Sequence, residues 1–278
     1  MRRRKSKERI KQNDGTQTRW WILTVGWNLL FLLPILVLIL SALSARWTFP
    51  HLLPEVMGGR GFAYLAANAG NISGTLLSSV GYSLTVVAVS ALLTILPAGV
   101  LARYEFPGRR ILEALFLSPV LIPAITYAMG LHFTLVRIGL SDTFAGVVLV
   151  LTAASYPYML RALIAGFQGI NPELEVCAEN LGAGYLRRLF RIVLPLLTPA
   201  LVSGGSVVFL VAFSDYFLVF LIGGGAVPSF TGYLFPFLSA ADQPIASALT
   251  LVFLAAPLVL FFLTDRIVFQ LYRRRGLL

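Results

Sequence analysis

The sequence predicts an all-α membrane protein with six transmembrane helices and both termini in the cytoplasm. Three observations carry this. Of its 278 residues, 58% are hydrophobic and only 12% charged, about half the charge of a soluble domain. Several apolar runs exceed the ~18 residues that mark a spanning helix. The alternation of a β-barrel is absent, so the spans must be helices, which satisfy their own backbone groups in lipid. The basic residues behind the net charge of +10 sit in short segments flanking the apolar runs. That is a topology signal rather than a nucleic-acid surface.

Residues 1–19, MRRRKSKERIKQNDGTQTR, form a basic cytoplasmic tail, either disordered or a short surface helix. Residues 20–44 follow as the first transmembrane helix. Its closing SALSA mimics a signal-peptide cleavage site, but the apolar run is longer than the usual ~7–15 residues and reads as uncleaved. Residues 45–73, with Pro50, Pro54 and several glycines, make a periplasmic segment with room for a short interfacial helix. Five more spans fall at about 75–102, 111–136, 144–167, 194–222 and 245–269, giving a five-helix core over 75–270. Residues 271–278 are a second basic cytoplasmic tail. With both termini inside, 19 of the 22 Lys and Arg are cytoplasmic, and only Arg46, Arg60 and Arg137 lie outside. Pro97, Pro119, Pro123, Pro157, Pro195, Pro199 and Pro257 fall inside spans. Each removes a backbone donor and kinks or opens its helix. They suit either ordinary membrane-helix usage or bent helices around a cavity that opens and closes.

The single cysteine, Cys177, excludes an internal disulfide. His51 and His132 lack metal-ligand spacing, so no metal site is expected. The sequon at Asn71 and the Gly70–Gly74 pair are chance matches. No P-loop, Rossmann fingerprint or nucleophile elbow is present, so no enzymatic activity and no cofactor are expected of this chain.

The polar stretch between the fourth and fifth spans, QGINPELEVCAENLGAGYLRRLFR, stands apart. Asn171 is a good N-cap and Pro172 suits the first helical position. Glu173 and Glu175 fall in the first turn, where the helix dipole favours carboxylates. Leu174, Cys177, Ala178 and Leu181 then share one face. Gly182 and Gly184 end or turn the helix. The pattern predicts a short amphipathic helix over about 171–184, a glycine corner and a basic turn. It suits a helix lying on lipid headgroups or one that docks on a partner.

That stretch resembles the EAA loop of the membrane subunits of binding-protein-dependent ABC importers. The loop reads Glu-Ala-Ala, three variable residues, Gly-Ala, a spacer, then Ile-x-Leu-Pro. Gly182 and Ala183 match the Gly-Ala, and Ile192, Leu194 and Pro195 match the end. The Glu-Ala-Ala positions hold Val176, Cys177 and Ala178, with Glu175 one residue earlier. The stretch from Tyr82 to Arg110 and the segment SPVLIPAITYAMGL are similar to the same family, so the resemblance covers about 75–270.

The resemblance implies a type I ABC importer transmembrane domain in a bacterial inner membrane. It makes the loop a coupling helix for a cytoplasmic ATPase dimer, which binds ATP and Mg. Glu175, Cys177, Ala178, Leu181, Gly182, Ala183, Arg187 and Pro195 are then the coupling residues. It also implies a second permease subunit, a heterodimer being favoured over a homodimer, and a periplasmic or lipid-anchored binding protein. Polyamine, aminophosphonate, thiamine-like, ferric-ion and oxyanion importers all share the pattern.

Asp215 is the one carboxylate well inside a span, where it is expensive and faces a cavity or a partner. Ser214, Asp215 and Tyr216 are candidates for the solute path or its outer gate. Alternatively, Asp215 is solvated near the outer end or pairs with a polar group on the partner subunit. A lining role favours a solute with a cationic or amino group. Tyr127 and Tyr158 are further lining candidates, against a role in aromatic packing. A lipid-moving or exporting ABC subunit, a membrane-embedded enzyme and a channel are the competing classes. An enzyme should show paired polar residues at matched depth in several spans, and a channel needs no docking helix.

Overall fold

The computed structural model describes residues 2–47, 50–240 and 242–274. In chain order the elements are α1 (Arg2–Leu43), β1 (Ser44–Arg46), β2 (Val56–Met57), α2 (Arg60–Ala67), α3 (Ala69–Arg103), α4 (Arg109–Leu121) and α5 (Ala124–Arg137). There follow α6 (Phe144–Gln168), α7 (Glu173–Asn180), α8 (Tyr185–Arg188), a π-helical turn (Leu189–Val193), α9 (Leu194–Ser214), α10 (Phe217–Gly223), α11 (Phe230–Ser239) and α12 (Gln243–Arg274).

Among the described residues, five segments are long and apolar enough to cross a membrane: Leu23–Leu43, Ala69–Arg103, Phe144–Gln168, Tyr185–Ser214 and Gln243–Gln270. The pair α4 and α5 makes a sixth if it is one bent span. The boundaries differ from expectation in four places. The first helix begins at Arg2, so the basic tail is continuous with the span. The segment expected over 45–73 holds a two-stranded hairpin and α2, and α3 has already begun at Ala69. The single helix expected over 111–136 is two, bent by 93°. The break falls at Pro123: Ile122 before it has extended backbone, φ −97° and ψ 125°, the geometry a proline favours in the residue it follows. The helix expected over 194–222 stops at Ser214 and restarts at Phe217. Of the second tail, 271–278, residues 275–278 lie outside the described residues.

The chain divides into two compact units, Met1–Ala67 with Phe237–Val252, and Asn68–Pro236 with Phe253–Leu278. In the first unit, α2 presses on the start of α12. A Cβ at Gly61 would lie 2.5 Å from the Pro244 carbonyl and 2.9 Å from Ala248 Cβ. Arg60 and Asp242 form an ion pair at 2.7 Å, and Ser247 Oγ donates to Ser41 Oγ at 2.9 Å.

The second unit is built on α3, α6 and α9. Helix α3 buries Ser79, Ser83, Val86, Ser90, Thr94, Ala98 and Leu101, a stripe at three- and four-residue spacing. Small side chains let helix backbones approach closely where lipid supplies no hydrophobic drive. Two of the buried hydroxyls bond within their own helix: Thr94 donates to the Ser90 carbonyl and Ser155 to that of Leu151, both at 2.6 Å.

Gly204 and Gly205 do the same for α9. A Cβ at Gly204 would lie 2.8 Å from Ala162 Cβ, and one at Gly205 3.2 Å from Val87 Cγ1. Gly204→Val is expected to destabilise the fold by about 1–3 kcal/mol, as overpacking does. Thermal denaturation in detergent reads this as a lowered midpoint. Gly81→Ala is the control, because nothing lies within 4 Å of a Cβ there, and it should leave the midpoint unchanged.

Candidate functional site

The segment from Asn171 to Ala183 is assembled by local chemistry. Asn171 Oδ1 accepts from the Glu173 N–H at 3.0 Å, and Pro172 already has helical backbone, φ −58° and ψ −27°. Asn171 therefore caps and Pro172 opens the helix. At the other end Gly182 takes φ +80°, a conformation open mainly to glycine. Its N–H donates to the Glu179 carbonyl at 2.8 Å, and the Ala183 N–H donates to that of Ala178 at 3.0 Å. This crossed pair of bonds is a Schellman motif, which satisfies the last carbonyls of the helix.

The predicted coupling residues separate into two groups. Val176, Cys177 and Leu181 are exposed, Leu181 at 88%, and just beyond them so are Tyr185, Leu186 and Phe190. Gly182 and Arg187 are exposed as well, and Ala178 and Ala183 are half-buried. Glu175 turns the other way, into an ion pair with Arg103 at the end of α3. It is Arg188, not Arg187, that pairs with Glu179. Pro195 lies just after the π-helical turn. It has no N–H for the Arg191 carbonyl, and its ring would crowd that group. The turn is widened accordingly, and the Leu194 N–H donates to Leu189, five residues back. Such insertions occur frequently at functional sites.

The second predicted group surrounds the break in the fifth span. Asp215 has extended backbone, φ −74° and ψ 108°. Its Oδ1 accepts from the Leu218 N–H at 2.7 Å. It is thus the N-cap of α10, where a carboxylate meets both an unpaired donor and the positive end of the helix dipole. Ser214 Oγ bonds back to the Leu210 carbonyl at 2.7 Å. Tyr216 stacks on Phe235, with ring centroids 4.3 Å apart, and on Phe220 at 5.5 Å. Tyr127 and Tyr158 are half-buried, and Tyr216 is committed to an aromatic stack. Tyr82 of α3 was not singled out in the sequence. It is fully buried and donates to Ser79 Oγ at 3.2 Å. Among the described residues no group of three His, Cys, Asp or Glu is placed to hold a metal ion.

A family model described as the binding-protein-dependent transport system inner membrane component matches residues 95–276, a range that includes both the coupling segment and the Asp215 break. The chain belongs to this family. It is a multi-pass inner-membrane permease subunit of an ABC importer, not an enzyme. The lipid-moving, exporting, enzymatic and channel classes are not favoured. The sulfate transport system permease protein of Salmonella typhimurium is 29% identical over 263 residues, covering 86% of this permease and 89% of that one. The molybdate/tungstate transport system permease protein of Pyrococcus furiosus is 30% identical over 197 residues, covering 68% and 79%. In fold, the permease is similar to a chain of a bacterial ABC transporter involved in the import of alginate. The TM-score is 0.67 at 17% identity, over 88% of this chain and 93% of that one.

Proposed function

We propose that this permease subunit forms half of a solute path and couples it, through α7, to a cytoplasmic ATPase subunit that binds ATP and Mg. A second, related permease subunit supplies the other half of the path, and a periplasmic or lipid-anchored binding protein delivers the solute. The observation that carries the docking role is the exposed apolar surface of Val176, Cys177 and Leu181 at the Schellman corner. Apolar side chains this exposed on a short, charged helix support a partner surface. Both termini and the segment 168–191 are cytoplasmic, because this orientation puts most of the basic residues inside.

Asp215, Tyr127 and Tyr158 line the path beside a broken helix, the arrangement by which transporters build sites at membrane depth. Ser214 and Tyr216 hold the break from either side. Because Asp215 is satisfied by capping α10, it does not call for a cationic solute. Relatives named for sulfate and for molybdate/tungstate put the oxyanion class first among the candidate solutes.

Cys177 tests the docking role without any substitution, as the sole and exposed cysteine. A membrane-impermeant maleimide should label it in inside-out vesicles and not in intact cells. A short bifunctional thiol reagent should join it to a cysteine introduced in the ATPase surface groove. Labelling from outside, or no cross-link at any position tried in that groove, refutes docking.

A further inference from the structure

We propose that Arg103 is the positioning residue that makes the coupling helix move as one body with the ends of α3 and α6. The proposal rests on α7 being the ATPase-docking element. One guanidinium joins three elements. Arg103 is the last residue of α3. Its Nη2 is ion-paired with Glu175 Oε1 of α7, and its central carbon lies 4.8 Å from the ring centroid of Phe167, near the end of α6. Both members of the ion pair are largely covered, with side chains 24% and 18% exposed.

The chemistry favours arginine. A planar guanidinium presents its edge to a carboxylate and its face to an aromatic ring at once, and an ammonium does not. Its Nε is buried with no hydrogen-bond partner among the described residues.

On one side α7 is joined to α6 by residues 169–172, and on the other it leaves through the left-handed turn at Gly182. Packing beside the pair is incomplete. A cavity of about 200 Å³ lies beside the pair, with Leu96 and Gly99 of α3 on one wall and Tyr185, Leu189 and Val193 on the other. The ion pair lines the same space. Phe167 itself is seated on α3, since a Cβ at Gly99 would lie 3.3 Å from its ring. The Glu175–Arg103–Phe167 chain is thus a side-chain link from α7 to both helices, and it explains why Glu175 faces inward while Val176 and Cys177 face out.

Pulsed electron paramagnetic resonance on the assembled transporter tests this. One nitroxide is placed on Glu173→Cys, at the exposed first turn of α7 away from the Gly182 corner, in a Cys177→Ser background, and a second on Leu92→Cys, an exposed position of α3. Partner subunits are made cysteine-free. The separation is measured without nucleotide and with Mg-ATP trapped by vanadate. In the wild-type background the distribution is expected to be narrow and the same in both states. Arg103→Ala and Glu175→Gln should broaden it and shift it on trapping. Arg103→Lys should restore only part of the narrowing, and the reversed pair R103E/E175R should restore more than either single reversal. A wild-type separation that changes on trapping overturns the proposal. So do single variants that stay narrow in both states, and a reversed pair that recovers nothing. Should the single variants fail to assemble, recovered yield in the reversed pair supports the link, and unrecovered yield overturns it. The cross-link from Cys177 to the ATPase, run on unlabelled complex, fails if docking is wrong. The intramolecular separation alone fails if only the link is wrong.

Discussion

Leu181→Asp is expected to abolish ATP-driven uptake while leaving the chain inserted and folded. Leu181 is 88% exposed, so the substitution removes no packing from the subunit itself. Once an ATPase covers it, two losses add. Burial of a leucine side chain is worth about 1.5–3 kcal/mol, and an unpaired carboxylate in its place adds a desolvation penalty of several kcal/mol more. Docking should weaken by roughly a hundredfold or more, since each 1.4 kcal/mol is tenfold. The measurement is co-purification of the ATPase with the permease, together with uptake. Ala183→Asp should act in the same direction, because Ala183 is half-buried beside the Gly182 corner. Gly182→Asp is the subtler case. Nothing lies within 4 Å of a Cβ at Gly182, so the chain has room for the side chain, and the damage comes from the positive φ and from the partner. If Leu181→Asp leaves co-purification and uptake intact, α7 does not carry the docking surface.

The second large effect concerns Asp215, where two substitutions separate two roles. Asparagine caps helices about as well as aspartate, whereas alanine loses the cap at about 0.5–2 kcal/mol. A leucine at this position loses the cap and leaves the Leu218 N–H without the partner it now has at 2.7 Å. That orphaned donor is the same loss as the cap, reaching about 1–3 kcal/mol when it is held away from water. Asp215→Asn should therefore keep complex yield and most uptake, and Asp215→Leu should lose both. Uptake abolished in Asp215→Asn at full complex yield would mean that the charge itself meets the solute. It would also restore the case for a cationic substrate.

These two sites mark how far the sequence was legible. The coupling helix was readable almost residue by residue, because capping is local. Asn171, Pro172 and Gly182 act within a few positions of themselves, and each does in the structure what its chemistry suggests. The inward turn of Glu175 was not readable. Its partner is 72 residues away, and in the sequence Arg103 registers only as a charge at the end of a span. The break at Asp215 carried a usable signal, since a Ser-Asp pair followed by an apolar run is a helix start. It was masked by the long hydrophobic stretch around it, which favours one continuous span. The prolines show the opposite limit. Pro97, Pro157, Pro199 and Pro257 lie inside helices that continue through them, whereas Pro123 separates α4 from α5. Sequence alone treats them alike, because what decides between a kink and a break is how the neighbouring helices satisfy the freed carbonyls.

The most direct test of the account is coupled transport by the whole assembly. This permease, its ATPase, its second permease subunit and its binding protein are reconstituted in proteoliposomes, with the binding protein outside and Mg-ATP inside. The binding protein is loaded in turn with sulfate, molybdate, an aminophosphonate, a polyamine, thiamine and ferric ion. The account predicts that one loaded form stimulates ATP hydrolysis and fills the vesicles with its solute, an oxyanion first among them, and that Leu181→Asp removes both responses together. Solute entry that proceeds without ATP, or hydrolysis stimulated equally well in the Leu181→Asp assembly, would contradict it.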